Sequence, residues 1–222
     1  MTTRLPAAVL WDMDGTLVDT EPYWIAAETE MVEEFGGTWT HDDAMRLVGS
    51  GLWESAEVFQ RYGVDLDADT IVARLTERVR EQLSEHGVPW RPGAKELLEA
   101  LREASVPTAL VTMSVRSMAQ DIVDAIPFHA FDLLVTGDEV AEAKPHPEPY
   151  LTAAQQLGVP IGECVAIEDS PAGLTSAATA GAVAIGVPNI LALDDVPHHL
   201  LWSTLDGRTA DDIAAAYAGA RA

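Results

Sequence analysis

Apolar positions along the chain fall into two regimes that meet near residue 90. Beyond it, short runs at 108–112 (TALVT), 133–136 (LLVT), 164–167 (CVAI) and 182–187 (AVAIGV) alternate with longer segments at 93–105, 115–126, 147–157 and 171–180. The short runs hold few polar positions, so they read as strands buried on both faces, and the longer segments read as helices. Such alternation predicts an α/β fold, a parallel sheet with helices on both sides. Residues 7–11 (AAVLW) add a strand at the start, 200–203 a late strand and 210–217 a last helix.

Residues 20–89 follow another rule. Trp24, Ala27, Met31 and Phe35 recur at helical spacing, as do Leu52, Ala56 and Phe59, and again Ile71, Leu75, Val79 and Leu83. A shorter helix fits 42–48. Gly36-Gly37 and Gly49-Ser50-Gly51 separate these segments. The pattern predicts a helical bundle inserted after the first strand. Pro22 on one side, with Pro89 and Pro92 on the other, brackets two connecting strands. The chain then divides into a core of 1–19 and 90–222 and a cap of 20–89, free to pivot as a lid.

Ligands of an open α/β sheet bind outside the carboxyl ends of its strands. The first strand ends in Asp12, with Asp14 close behind. The second ends in Thr112 and Ser114, and the third near Gly137-Asp138, with Lys144 following. The fourth ends in Glu168-Asp169-Ser170. Acids, hydroxyls and a lysine thus converge on one edge.

Composition narrows the partners. The 222 residues carry 36 acidic against 13 basic side chains, a formal charge of −23. That charge repels nucleic acid and anionic membranes, so neither is an expected partner. Lys95 and Lys144 are the only lysines, which makes Lys144 conspicuous beside the acids. No apolar run reaches the ~18 residues of a membrane span, and MTTRLPAAVLWD does not read as a signal peptide. The single cysteine, Cys164, excludes an intrachain disulfide and fits a reducing compartment, so a cytoplasmic location is expected. Cys164 reads as a core residue and His198-His199 as surface. Either a monomer or a dimer fits.

"DMDGT" at 12–16, the strand-ending Thr112, Lys144 before Pro145 and "EDS" at 168–170 resemble, in order, the four motifs of the haloacid dehalogenase superfamily. The insert resembles that superfamily's C1-type helical cap. "DTEPYW", "KPHPEPY" and "IEDSPAG" look most like its branch of sugar-phosphate phosphatases and β-phosphoglucomutases. The resemblance implies a Rossmann-like core and phosphoryl transfer through an aspartyl-phosphate. It assigns Asp12 as nucleophile and Asp14 as general acid and base. Mg²⁺ is the implied cofactor, held by Asp12, the Asp14 carbonyl and Asp169, with Glu168 as a direct or water-mediated ligand. Gly15, Thr112, Met113 and Lys144 are the implied phosphate-binding residues. Glu21, Trp24, Arg46 and Trp53 are the candidates for the substrate side of the cap.

Within that family the residues prune the reactions. Dehalogenation does not need Asp14 as an acid or a charge-balancing metal. Schiff-base phosphonate hydrolysis needs a cap lysine, and 20–89 has none. A β-phosphoglucomutase must hold a second phosphate with basic cap residues, but "LVGSGLWES" at 47–55 carries no Lys or Arg, and Trp24 falls where the mutase pattern has a histidine. A non-enzymatic phosphoacceptor resembling response-regulator receivers would be shorter and lack the insert, and a degenerate scaffold would not keep all four motifs. The expected function is Mg²⁺-dependent hydrolysis of a small phosphorylated metabolite, a sugar or sugar-alcohol phosphate, with the mutase as the alternative.

Overall fold

Strand β1 (Ala8–Trp11) lies at the centre of a six-stranded parallel sheet. The computed structural model describes residues 4–221. The other strands are β2 (Thr108–Val111), β3 (Leu133–Val135), β4 (Cys164–Glu168), β5 (Val183–Gly186) and β6 (Leu200–Leu201), in the order β3-β2-β1-β4-β5-β6. Leu10 pairs with Ala109 on one side and Ala166 on the other. The strand order reverses at β1, so a crevice opens where Asp12 leaves the sheet.

The strands are buried on both faces but not alike. Val9, Trp11, Leu110, Val165, Ile167 and Ile185 pack into one core, and Ala8, Leu10, Ala109, Ala166 and Ala184 into the other. Period-two alternation thus sorts bulky from mostly small side chains. After β1 come α1 (Glu21–Glu34), α2 (His41–Met45), α3 (Leu52–Arg61) and α4 (Ala68–His86). The rest of the chain adds α5 (Ala94–Glu103), α6 (Arg116–Asp124), α7 (Glu148–Leu157), α8 (Pro171–Ala180) and α9 (Ala210–Gly219). Leu97, Leu98 and Leu101 of α5, Met118 and Ile122 of α6 and Ile213 of α9 cover the bulky face. Tyr150 and Ala153 of α7 and Leu174 and Ala177 of α8 cover the other.

The elements follow the hydrophobic pattern with one notable shortening. A helix expected over 42–48 is only the five-residue α2. Thr40 and Asp43 form a reciprocal capping box that sets its start, and the chain turns before Gly49. Two backbone segments connect α1–α4 to the sheet. Asp19 N–H donates to the Pro89 carbonyl at 2.7 Å and Arg91 N–H to that of Leu17 at 3.0 Å. No helix among the described residues is long and apolar enough to cross a membrane.

Candidate active site

The acids at the strand ends meet. Asp12, Glu168 and Asp169 bring one carboxylate oxygen each within 4.8 Å of one another, and all three are buried. Lys144 lies among them, itself only 2% exposed. Its Nζ donates to Asp12 Oδ1 and Glu168 Oε1, both at 2.7 Å, and to the Val111 carbonyl at 2.8 Å. The Tyr150 hydroxyl donates to the same Glu168 oxygen at 2.6 Å. Thr16 Oγ1 donates to Asp169 Oδ1 at 3.2 Å.

Crowding shows in the protonation equilibria. Burial, followed by the Glu168 charge, pushes Asp12 up to about 7. Burial, with Asp12 and Glu168 next, holds Asp169 well above the usual carboxylate range. Burial works against the Lys144 ammonium, yet the charges of Asp12 and Glu168 outweigh it and raise its pKa. One ammonium does not balance three carboxylates, and the surplus negative charge calls for a further cation. Hard oxygen donors in this number suit Mg²⁺, which keeps several waters.

Two glycines explain how the carboxylates come so close. Gly15 has φ +86°, and a Cβ there would stand 2.0 Å from Asp169 Oδ2. A Cβ at Gly173 would stand 1.9 Å from Glu168 Oε1. The Gly15 N–H donates to the Val18 carbonyl at 2.7 Å, and its lack of a side chain permits the close approach to Asp169.

Asp14 is held apart from this cluster by four donors. Thr20 Oγ1 and Trp24 Nε1, the latter at 3.2 Å, donate to Oδ1. Thr112 Oγ1 at 3.3 Å and Ser114 Oγ at 2.7 Å donate to Oδ2. These groups come from the turns after β1 and β2 and from α1, and the Asp14 carboxyl they hold lines a cavity between the sheet edge and the inserted helices. Asp12, Thr112, Met113 and Lys144 line one side of it. Glu21, Trp24 and Glu28 of α1 line another. Leu47 and Val48, with Leu52, Ser55 and Phe59 of α3, close it. Burial pushes Glu21 up to about 8 and Glu28 up to about 7.

Two expected substrate residues are not brought there. Arg46 points outward, its side chain 73% exposed and paired with Asp43 at 3.1 Å, because the capping-box helix turns Leu47 and Val48 inward instead. Trp53 donates its indole N–H to Asp69 at 2.8 Å and lines a separate outer groove. Conversely, Thr20, Tyr150 and Glu28 bear on the site without being among the expected residues, and Ser114, read from the sequence only as following Thr112 at a strand end, joins them. Glu28 carries a legible signal, an acid set among Trp24, Ala27 and Met31 on the apolar face of α1.

The whole stretch from β1 to just past β5, residues 9–187, matches the family of haloacid dehalogenase-like hydrolases. The chain belongs to that family. Among its relatives, glycerol-1-phosphate phosphohydrolase 1 of Saccharomyces cerevisiae is 30% identical over 84% of this chain and 76% of its own. The fructose-1-phosphate phosphatase YqaB of Escherichia coli is 31% identical over 82% of this chain and 96% of its own. Among solved structures, CbbY from Rhodobacter sphaeroides in complex with xylulose-(1,5)bisphosphate superposes with a TM-score of 0.82, at 27% identity, covering 91% of this chain and 96% of that one. The parallel sheet with β1 at its switch point is the haloacid dehalogenase architecture.

Proposed function

We propose that this hydrolase is an Mg²⁺-dependent phosphatase of small phosphorylated sugars or sugar alcohols, working through a phosphorylated Asp12. The observation that carries the reading is the geometry of Asp12. Lys144 holds its Oδ1 at 2.7 Å, while Oδ2 accepts no hydrogen bond from the described residues. That oxygen is the nucleophile. It forms a bond to phosphorus as the bond from phosphorus to the substrate's ester oxygen breaks, and Asp14 gives the departing oxygen its proton. In the second step Asp14 takes a proton from water as that water attacks the phosphoaspartate, which releases phosphate and restores Asp12. Thr112, at hydrogen-bond distance from Asp14, donates to the phosphoryl group once that group is in place, and the amides of Met13, Asp14 and Met113 add donors. Asp12, Asp169, the Asp14 carbonyl and Glu168 are the groups that would hold Mg²⁺. Bound there, it offsets the charge of the carboxylates and of the phosphoryl oxygens.

We also take residues 20–89 as a cap whose movement on the paired segments at 17–19 and 89–91 admits substrate. Apart from Lys144, no Lys or Arg among the described residues lines the cavity, which supports hydrolysis over a mutase that must retain a second phosphate. Asp12→Asn is expected to fold as the parent does and to lose phosphate release by at least ~10⁴-fold. Chelation by EDTA is expected to abolish release, and Mg²⁺ to restore it. Parental activity in the Asp12→Asn protein would remove Asp12 from its role, and full activity in metal-free buffer would remove the metal from its own.

A further inference from the structure

One wall of the cavity is acidic in a way the two chemical steps do not require. Glu21, Trp24 and Glu28 stand at i, i+3 and i+7 of α1, and that one face turns all three inward. Each glutamate is only 8% exposed. Glu28 is fixed from behind by the Trp39 indole, which donates to Oε2 at 3.1 Å, while Oε1 accepts nothing from the described residues. The Glu21 carboxyl accepts no hydrogen bond from them at all. These free oxygens stay open to the cavity, where a donor arriving with a ligand takes the place of water.

The surroundings decide which donor. Lys144 is the one cation on the cavity wall among the described residues, and its Nζ already serves Asp12, Glu168 and the Val111 carbonyl. A carboxylate or second phosphate on the substrate would therefore lie against Glu21 and Glu28 unneutralised. A hydroxyl fits better than an ammonium. The one fixed partner of Glu28 is a neutral N–H, and burial leaves both glutamates only partly ionised near neutral pH, when they accept from or donate to a hydroxyl equally well.

Resting on the phosphatase reading above, we propose that Glu21 and Glu28 read the hydroxyls at the uncharged, polyhydroxylated end of a phosphate monoester and reject monoesters that carry a second anionic group. They are specificity residues, and the chemistry at phosphorus proceeds through Asp12 and Asp14.

The test compares matched esters on the Mg²⁺-loaded full-length protein. Sorbitol 6-phosphate and 6-phosphogluconate differ in whether the far end is an alcohol or a carboxylate, and glycerol 3-phosphate and 3-phosphoglycerate repeat the contrast in three carbons. In each pair kcat/KM is expected to favour the alcohol by about 100-fold or more, because an anionic end would be buried against this wall with no free cation to pair it. Glu28→Gln, and more so its combination with Glu21→Gln, is expected to shrink that ratio at least about tenfold. Equal rates on both members of a pair, a ratio unmoved by the substitutions, or a preference for phosphoethanolamine over sorbitol 6-phosphate would overturn the proposal. Should the variants fail to fold, the parental ratio alone decides. p-Nitrophenyl phosphate separates the two levels of the argument. Its hydrolysis without discrimination between the pairs overturns this proposal alone, whereas no phosphate from any ester overturns the phosphatase reading and the proposal with it.

Discussion

Glu28 is a carboxyl that the fold keeps at a cost. Buried on α1 with a single N–H donor from Trp39, it titrates near 7 in place of its ordinary 4.5. The native protein therefore binds a proton that the unfolded chain has already released between those two values. Stability from this group is complete below about pH 4.5 and is lost as pH rises through about 7. The shift corresponds to an upper value on the order of 3 kcal/mol. Glu28→Gln keeps an acceptor for Trp39 and removes the titration. Its Tm is expected to exceed the parent's by several degrees at pH 8 and to match it at pH 4.5, as thermal melts at the two pH values would show. An equal shift at both would mean that packing, and not ionisation, sets the difference. Lys144 illustrates the opposite balance at the same scale. Its buried ammonium persists because two carboxylates stand 2.7 Å away, so truncating it would strand Asp12 and Glu168 without their cation.

At the scale of elements, what the sequence discloses follows from periodicity and its limits. Strands such as β4, fully buried, and helices such as α8, with Ser170 capping the Gly173 N–H at 3.0 Å, announce themselves locally. The acids and Lys144 were legible because each ends or follows a strand. Thr112, Ser114 and Trp24 were legible as site residues too, but not as donors that hold Asp14 together with Thr20, because that meeting is set by the β1–β2 pairing and the placement of α1. Arg46 misled for a similar reason: its distance along the chain from the cavity is short, but the direction of its side chain is set by the Thr40–Asp43 cap. Helix α4 carries a prediction of its own. It packs on α1 and α3 and reaches the core through the Arg80–Asp121 pair at 2.6 Å, a partly exposed contact of the kind that contributes little. Beneath it the Thr76 hydroxyl is buried with no hydrogen-bond partner among the described residues. Thr76→Val keeps the shape and removes the unsatisfied group. It is expected to stabilise by about 1 kcal/mol, or ~2–4 °C in Tm. A lower Tm would show that the hydroxyl gains a bond in solution that the structure does not contain.

The whole molecule adds a field to the local chemistry. A formal charge of −23 surrounds a cavity whose carboxylates outnumber its positive groups even when a divalent cation is counted with Lys144. A phosphate monoester approaches as an anion, so the long-range force opposes the encounter that the site needs. Salt weakens that force: the screening length falls from ~30 Å at 0.01 M to ~8 Å at 0.15 M ionic strength. At fixed free Mg²⁺, kcat/KM for a sugar-alcohol phosphate is therefore expected to rise severalfold between those ionic strengths, with kcat nearly constant because the bound substrate is inside the screened region. The measurement is a salt titration of initial rates at subsaturating and saturating substrate. A fall in kcat/KM would mean that the field of the metal and Lys144 reaches beyond the cavity mouth and outweighs the surface. A change confined to kcat would instead place the charge effect on a step after binding, such as the release of phosphate.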